Sequence, residues 1–168
     1  MACKPHVAYN TGQNEWYTPQ SIIDLVYSVM GHIDIDVASS AKANEVVRAD
    51  EYFSAENNGL EHHWHGKIFM NPPYSAELIK KFIGKFCAER LSIDEAIIVV
   101  NNATETEWFQ QLVKSCNAIV FPKNRMRFYS PDGRIAHPLQ GQAIMYAGNN
   151  SHRFIEVFSK IGFGVILT

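Results

Sequence analysis

The chain has 168 residues, 46% of them hydrophobic and 19% charged, with a formal net charge of −2. This fits one ordinary globular domain and excludes a fibrous or low-complexity polypeptide, and the charge gives no global signal for nucleic acid, so such a partner needs a local basic patch. No apolar run approaches the roughly eighteen residues of a membrane span, the opening MACKPHVAYNTGQNEWYTP lacks the apolar stretch of a signal peptide, and three widely spaced cysteines without a CxxC pair (Cys3, Cys87 and Cys116) argue for a reduced, intracellular setting without disulfides.

Residues 1–14 are polar and unpatterned and read as a loose arm. Thr18 before Pro19 reads as an N-cap with proline at the first helical position. Ile22, Ile23, Leu25, Val26, Val29 and Met30 give that helix its apolar face, and Gly31 stops it. Ile33–Val37 alternates with period two as a short strand. It ends in Ala38-Ser39-Ser40, small residues that let a ligand approach the backbone. Residues 41–49 predict a short helix, Glu51–Ser54 a strand and Asn57-Asn58-Gly59 a turn.

Ile68-Phe69-Met70 is an apolar strand leading into Asn71-Pro72-Pro73-Tyr74. A helix from about Ala76 follows, with Leu78, Ile79, Phe82, Ile83 and Phe86 as its buried face. Ala96–Val100 reads as a strand buried on both faces. Thr104, with Glu107 in the capping-box position, opens a helix that turns Trp108, Phe109, Leu112 and Val113 inward. Ala118–Phe121 is a further strand. Arg125–Tyr129 and Gln142–Tyr146 read as an antiparallel pair joined through a turn at Pro131-Asp132-Gly133. Phe154, Ile155, Phe158 and Ile161 suggest a short helix, and Gly164–Leu167 a last strand. Strands alternating with helices predict one three-layer α/β domain over residues 1–168, with a mostly parallel sheet made mixed by the late strands.

Asn71-Pro72-Pro73-Tyr74 carries the clearest chemistry. Asn71 precedes a proline and is held extended. Pro72 and Pro73 have fixed φ and no N–H, so their carbonyls stand as acceptors. Tyr74 adds a flat π-face. A rigid amide, a fixed carbonyl and an aromatic plate suit a planar substrate bearing an NH2 group. Such a tetrad arises by chance in about one chain of this length in two hundred, so its weight comes from its context. Part of that context is the segment Lys123–Arg134, where Lys123, Arg125, Arg127 and Arg134 oppose only Asp132, a local net charge of +3 interleaved with Phe128 and Tyr129. It reads as a hairpin for phosphate contact or wedging, or as an ordinary solvated turn. Lys80, Lys81 and Lys85 read as a solvated helix face. His62, His63 and His65 are irregularly spaced for zinc, and no metal site is expected.

In order along the chain, Glu15-Trp16-Tyr17-Thr18-Pro19, Ile33-Asp34-Ile35-Asp36-Val37-Ala38-Ser39, Asn57-Asn58-Gly59-Leu60 with Trp64-His65-Gly66, Asn71-Pro72-Pro73-Tyr74 and Arg125-Met126-Arg127-Phe128 resemble the small phage and prophage DNA N6-adenine methyltransferases of the Dam-like kind. The resemblance runs from about Asn14 to the C-terminus. It implies a Rossmann-like methyltransferase fold, S-adenosylmethionine as cofactor and DNA as partner, in the cytoplasm of a bacterial host. By that resemblance Asn71, Pro72, Pro73 and Tyr74 are the catalytic set. Tyr17, Thr18, Pro19, Asp36, Ala38, Ser39 and Asn58 are the cofactor side, and Lys123, Arg125, Arg127, Phe128 and Arg134 meet DNA.

In that reading Asn71 Oδ1 and the Pro72 carbonyl accept the two hydrogens of adenine N6, while Tyr74 stacks on a base flipped out of the duplex. Asp36 attracts the cationic methionine portion, or else caps the segment after it. Tyr17 and Thr18 form a cofactor lid or only a helix cap, and Asn58 contacts the adenosine end or only makes a turn. Many such enzymes carry Asp-Pro and a glycine-rich loop where this chain has Asp36-Val37-Ala38-Ser39-Ser40. Two other readings stay open: methyl transfer to another planar NH2, cytosine N4 or a protein glutamine, and a methyltransferase-like DNA-binding module with weak catalysis.

Overall fold

A computed structural model of the chain describes residues 16–130, 133–136 and 140–167. The arm expected over residues 1–14, with Glu15, lies outside the described residues, as do Pro131 and Asp132 of the expected turn.

Helix α1 (Gln20–Met30) buries Ile22, Ile23, Val26 and Met30, and Gly31 closes it at φ 80 with its N–H on the Tyr27 carbonyl. Pro19 is the N-cap residue and no side chain caps the helix; the expected cap, Thr18, is buried and turned elsewhere. Strand β1 (Ile35–Asp36) is shorter than its alternating stretch. Helix α2 (Ala41–Val47) is capped by Ser40, which accepts from the Ala43 N–H. Strand β2 (Glu51–Tyr52), a 3-10 turn (Gly59–Glu61) and strand β3 (Gly66–Met70) follow. Helix α3 (Ala76–Glu89) buries Ile79, Phe82, Ile83 and Phe86. After strand β4 (Ile93–Asn101) comes helix α4 (Glu107–Lys114). Its cap is Thr106, which accepts from the Phe109 N–H, and not Thr104. Thr104 is taken up by a turn in which its N–H donates to the Asn102 carbonyl.

Strands β5 (Ala118–Pro122), β6 (Phe128–Tyr129), β7 (Ile135–Ala136) and β8 (Gln142–Ala147), helix α5 (Ser151–Phe158) and strand β9 (Gly162–Ile166) complete the described chain. Seven strands form one sheet in the order β2-β1-β3-β4-β8-β5-β9. Strands β2, β1, β3 and β4 are parallel neighbours, while β8 runs antiparallel between β4 and β5, and β9 antiparallel beyond β5. The expected pairing of Arg125–Tyr129 with Gln142–Tyr146 does not form. Strand β6 pairs with β7 in a separate hairpin, and β8, apolar along Ala143–Ala147 and buried throughout, is drawn into the centre of the sheet. A strand with no polar face has to be covered on both sides.

Alternation along β4 divides the core in two. Ala96, Ile98 and Val100 meet α3 and α4 through Phe82, Phe86 and Leu112, with Trp64 in the same cluster. Ile97 and Val99 meet α1 and α5 through Ile23, Val26, Phe154 and Phe158. This is the mixed three-layer α/β architecture of a methyltransferase fold. The chain leaves β1 for β2 on one side, whereas β3 and β4 lie on the other. Strand order thus reverses between β1 and β3, and a ligand crevice opens beyond their carboxyl ends.

Candidate active site

A cavity of about 370 Å³ occupies that crevice, within the size range of small-molecule sites. Its lining brings together Tyr17, Thr18, Asp36, Ala38, Ser39, Asn58, Asn71, Pro72, Pro73 and Tyr74, which the sequence scatters over nearly sixty positions. Pro19, expected with them, is not in the lining. Ser40 and Gly59 line it beside Ser39 and Asn58, and Trp16, Phe53, Leu78 and Phe82 join the wall without having been expected there. The helical spacing of Leu78 and Phe82 places both on one face of α3 but leaves open what they face. Trp16 acts through its backbone carbonyl, which no side-chain pattern announces.

Asp36 is 2% exposed at the end of β1. Burial pushes its carboxyl up to about 6, only partly offset by the nearby Ser39 hydroxyl and the Ala38 N–H, which lies 3.4 Å from Oδ1. Ser39 is close enough to favour the charged carboxylate but makes no hydrogen bond of sound geometry, and its Oγ is buried without a partner. Among the described residues no Lys, Arg or His pairs with Asp36. A buried carboxylate without a cation and a hydroxyl without a partner fit a ligand that carries positive charge and polar groups.

Val37 stands where the resemblance leads one to expect proline. It donates its N–H to the Phe69 carbonyl at 3.3 Å, a ladder bond that proline could not make. Its own carbonyl lies against Gly59 so closely that a Cβ at residue 59 would collide with it. Trp64, fully buried, fixes the other side of that contact through Nε1 to the Gly59 carbonyl at 2.8 Å. Asn58, at φ 42, spends its side chain locally, with Oδ1 accepting from the Leu60 N–H and Nδ2 donating to Glu61 at 2.7 Å. The Trp64 motif therefore holds the Asn58–Gly59 loop beneath the end of β1.

At the end of β3, Asn71 Nδ2 donates to the Trp16 carbonyl at 2.8 Å and lies 3.3 Å from Thr18 Oγ1. A carbonyl only accepts, so the amide is oriented with Oδ1 on the opposite side. There the Tyr74 hydroxyl lies 2.9 Å from Asn71 Oδ1 and 3.2 Å from the Val99 carbonyl, one hydrogen between two acceptors. Burial raises the Tyr74 phenol far above its ordinary range, so it stays a donor.

The basic segment is attached to this assembly. Tyr17 donates to the Tyr129 carbonyl at 2.7 Å and accepts from the Tyr129 N–H at 3.1 Å. Lys123, Arg125, Arg127 and Arg134 are exposed. Phe128 is not: it is 4% exposed and packs with Met126 into the core on the α1 and α5 side. Its expected contact with DNA is corrected accordingly, because period-two alternation sends Phe128 inward and its neighbours outward. The apolar surface of the hairpin is Tyr129 and, directly across from it, Ile135, 40% and 48% exposed.

Among the described residues no group of three His, Cys, Asp or Glu side chains is gathered as a metal would need. The His62 ring stacks on Phe53 with centroids 4.3 Å apart, and its Nε2 meets the Asn57 carbonyl. No described helix is long and apolar enough to cross a membrane. No curated protein matches the chain. A family model described as DNA N-6-adenine-methyltransferase (Dam) matches residues 7–154.

Proposed function

The chain belongs to the DNA N-6-adenine-methyltransferase (Dam) family, enzymes that transfer a methyl group to N6 of adenine in DNA, and from that premise we propose that its donor is S-adenosylmethionine and that both donor and target base use the cavity between Asp36 and Asn71. The observation that carries this is the sharing of one cavity by an uncompensated buried carboxylate and an oriented amide oxygen. S-adenosylmethionine would supply an electrophilic methyl on a sulfonium centre. Asp36, ionised, would attract its cationic end, with Ser39 beside it, and the Asn58–Gly59 loop would close the far wall. Tyr17 and Ala38 line the same space.

An adenine inside a duplex cannot reach such a pocket, so it is flipped out, which costs a few kcal/mol of stacking and pairing. Stacking on Tyr74 returns about 1–3 kcal/mol of that. The lone pair of N6 is delocalised into the ring. Asn71 Oδ1 and the Pro72 carbonyl, each accepting one N6 hydrogen, favour a pyramidal nitrogen whose lone pair is free to form the C–N bond as the methyl–sulfur bond breaks and the neutral thioether leaves. One N6 proton then leaves to water. The gain comes from positioning and fixed dipoles. The +3 segment supplies phosphate contacts through Lys123, Arg125, Arg127 and Arg134. The chain acts as a single methyltransferase domain, with recognition supplied by its loops.

The test is incubation of the protein with labelled S-adenosylmethionine and duplex DNA, followed by nucleoside mass spectrometry. N6-methyladenine is expected, and Asn71→Ala should lower the rate by about 10²-fold or more while S-adenosylhomocysteine still binds. N4-methylcytosine would reassign the acceptor. Unlabelled DNA with intact S-adenosylhomocysteine binding would sink the reading.

A further inference from the structure

We infer that Thr18 is a positioning residue for the Asn71 amide and not the helix cap its sequence context suggests; this rests on the role proposed for Asn71. Thr18 is 5% exposed, and a buried hydroxyl needs a reason. Capping is not the reason, since α1 begins after Pro19 without any side-chain cap. Instead Thr18 Oγ1 lies 3.3 Å from Asn71 Nδ2, beside the 2.8 Å bond from the same nitrogen to the Trp16 carbonyl.

An amide nitrogen has two hydrogens, and here each has its own acceptor. One bond alone would fix which end of the amide faces Trp16 but leave its plane free to swing, because the terminal torsion of Asn is broad. The second bond fixes the plane. The Trp16 bond makes the reversed amide costly, since Oδ1 would then face a carbonyl that cannot donate. With both hydrogens committed, Oδ1 is held toward Tyr74 and the cavity, where the proposed reaction needs an acceptor. The two acceptors are themselves steadied, because Tyr17, between them, is tied at both N–H and C=O to Tyr129. Trp16, Tyr17 and Thr18 thus form a strap whose middle member holds the hairpin and whose two flanking members hold the catalytic amide.

The experiment compares the wild type with Thr18→Val, which keeps shape and burial, and Thr18→Ser, which restores the hydroxyl. Three quantities are read: the single-turnover methylation rate on duplex DNA, the dissociation constants for DNA and S-adenosylhomocysteine, and the Asn71 side-chain NH2 resonances by NMR. Thr18→Val is expected to lower the rate about tenfold or more, to leave both dissociation constants within about twofold, and to shift the Asn71 resonances. Thr18→Ser is expected to return the rate and the resonances toward wild type. An unchanged rate, a loss of S-adenosylhomocysteine affinity in place of rate, or failure of serine to rescue would overturn the inference. If the wild type itself methylates no DNA, the functional reading falls, and the NMR comparison alone still decides whether Thr18 sets the amide.

Discussion

At Asp36 the protein keeps a carboxylate where burial opposes its charge. Its carboxyl rises from 3.8 to about 6, so the folded chain binds more protons than the unfolded chain between these values. Stability contributed by the protonated form is present below about pH 4 and lost as pH rises through about 6, where ionisation costs about 3 kcal/mol without a cationic ligand. Asp36→Asn should therefore raise the melting temperature of the free protein by several degrees at pH 8, change it little at pH 4, and remove S-adenosylhomocysteine binding. In the wild type, calorimetry should show that affinity falling by up to tenfold per pH unit below about 6. Asn71 makes an opposite demand. Asp and Asn can both accept from an NH2 group, but only Asn can donate to the Trp16 carbonyl and Thr18. Asn71→Asp should destabilise the fold by about 1–3 kcal/mol at neutral pH and slow methyl transfer, measured by thermal melts and single-turnover rates. The acceptor chemistry of this residue was legible from the tetrad. Its donors were not, because they are met by a backbone carbonyl and a hydroxyl more than fifty positions away.

Among the elements, the β6–β7 hairpin and its approach separate two roles that the sequence assigns alike to adjacent residues. Arg127 is exposed while Phe128 is buried against Met126. Arg127→Ala should weaken DNA binding and reduce the slope of log affinity against log salt by about 0.9, read by fluorescence anisotropy. Phe128→Ala should leave that slope alone and cost about 3–5 kcal/mol of stability. The alternation Arg125, Met126, Arg127, Phe128 already contained this division. Helices α1, α3 and α5 were legible from their apolar spacing, and β4 from its apolar run. The cap of α4 was not, because a threonine two positions early competes for it and a tight turn decides between them. The partners of β8 were not legible either, since no local pattern tells an apolar strand which neighbours it will have. Its lack of a polar face did mark it as central.

For the whole molecule, the site follows from topology. The reversal of strand order between β1 and β3 opens the crevice, and the motifs at Asp36, Asn58 and Asn71 reach it from three separate stretches of chain. Their order in the sequence was visible, but their convergence belongs to the sheet. A ligand that supplies the missing cation should stabilise the protein as one unit. S-adenosylhomocysteine at a hundred times its dissociation constant is expected to add about 2.7 kcal/mol, seen as a single shifted thermal transition. The same addition to Asp36→Asn should shift nothing.

The pairing of Tyr17 with Tyr129 also sets a timetable. It joins an early part of the chain to a late one, so it closes a long loop, and such contacts form after local ones have reduced the entropy of closure. In pulse-labelled hydrogen exchange during refolding, the amides of Tyr17 and Tyr129 should gain protection after those of β3 and β4. A nascent chain still short of residue 129 has no partner for Tyr17 and cannot tether the strap that orients Asn71. Competence for methyl transfer would then arrive as a late event in the life of each molecule, after its core has formed.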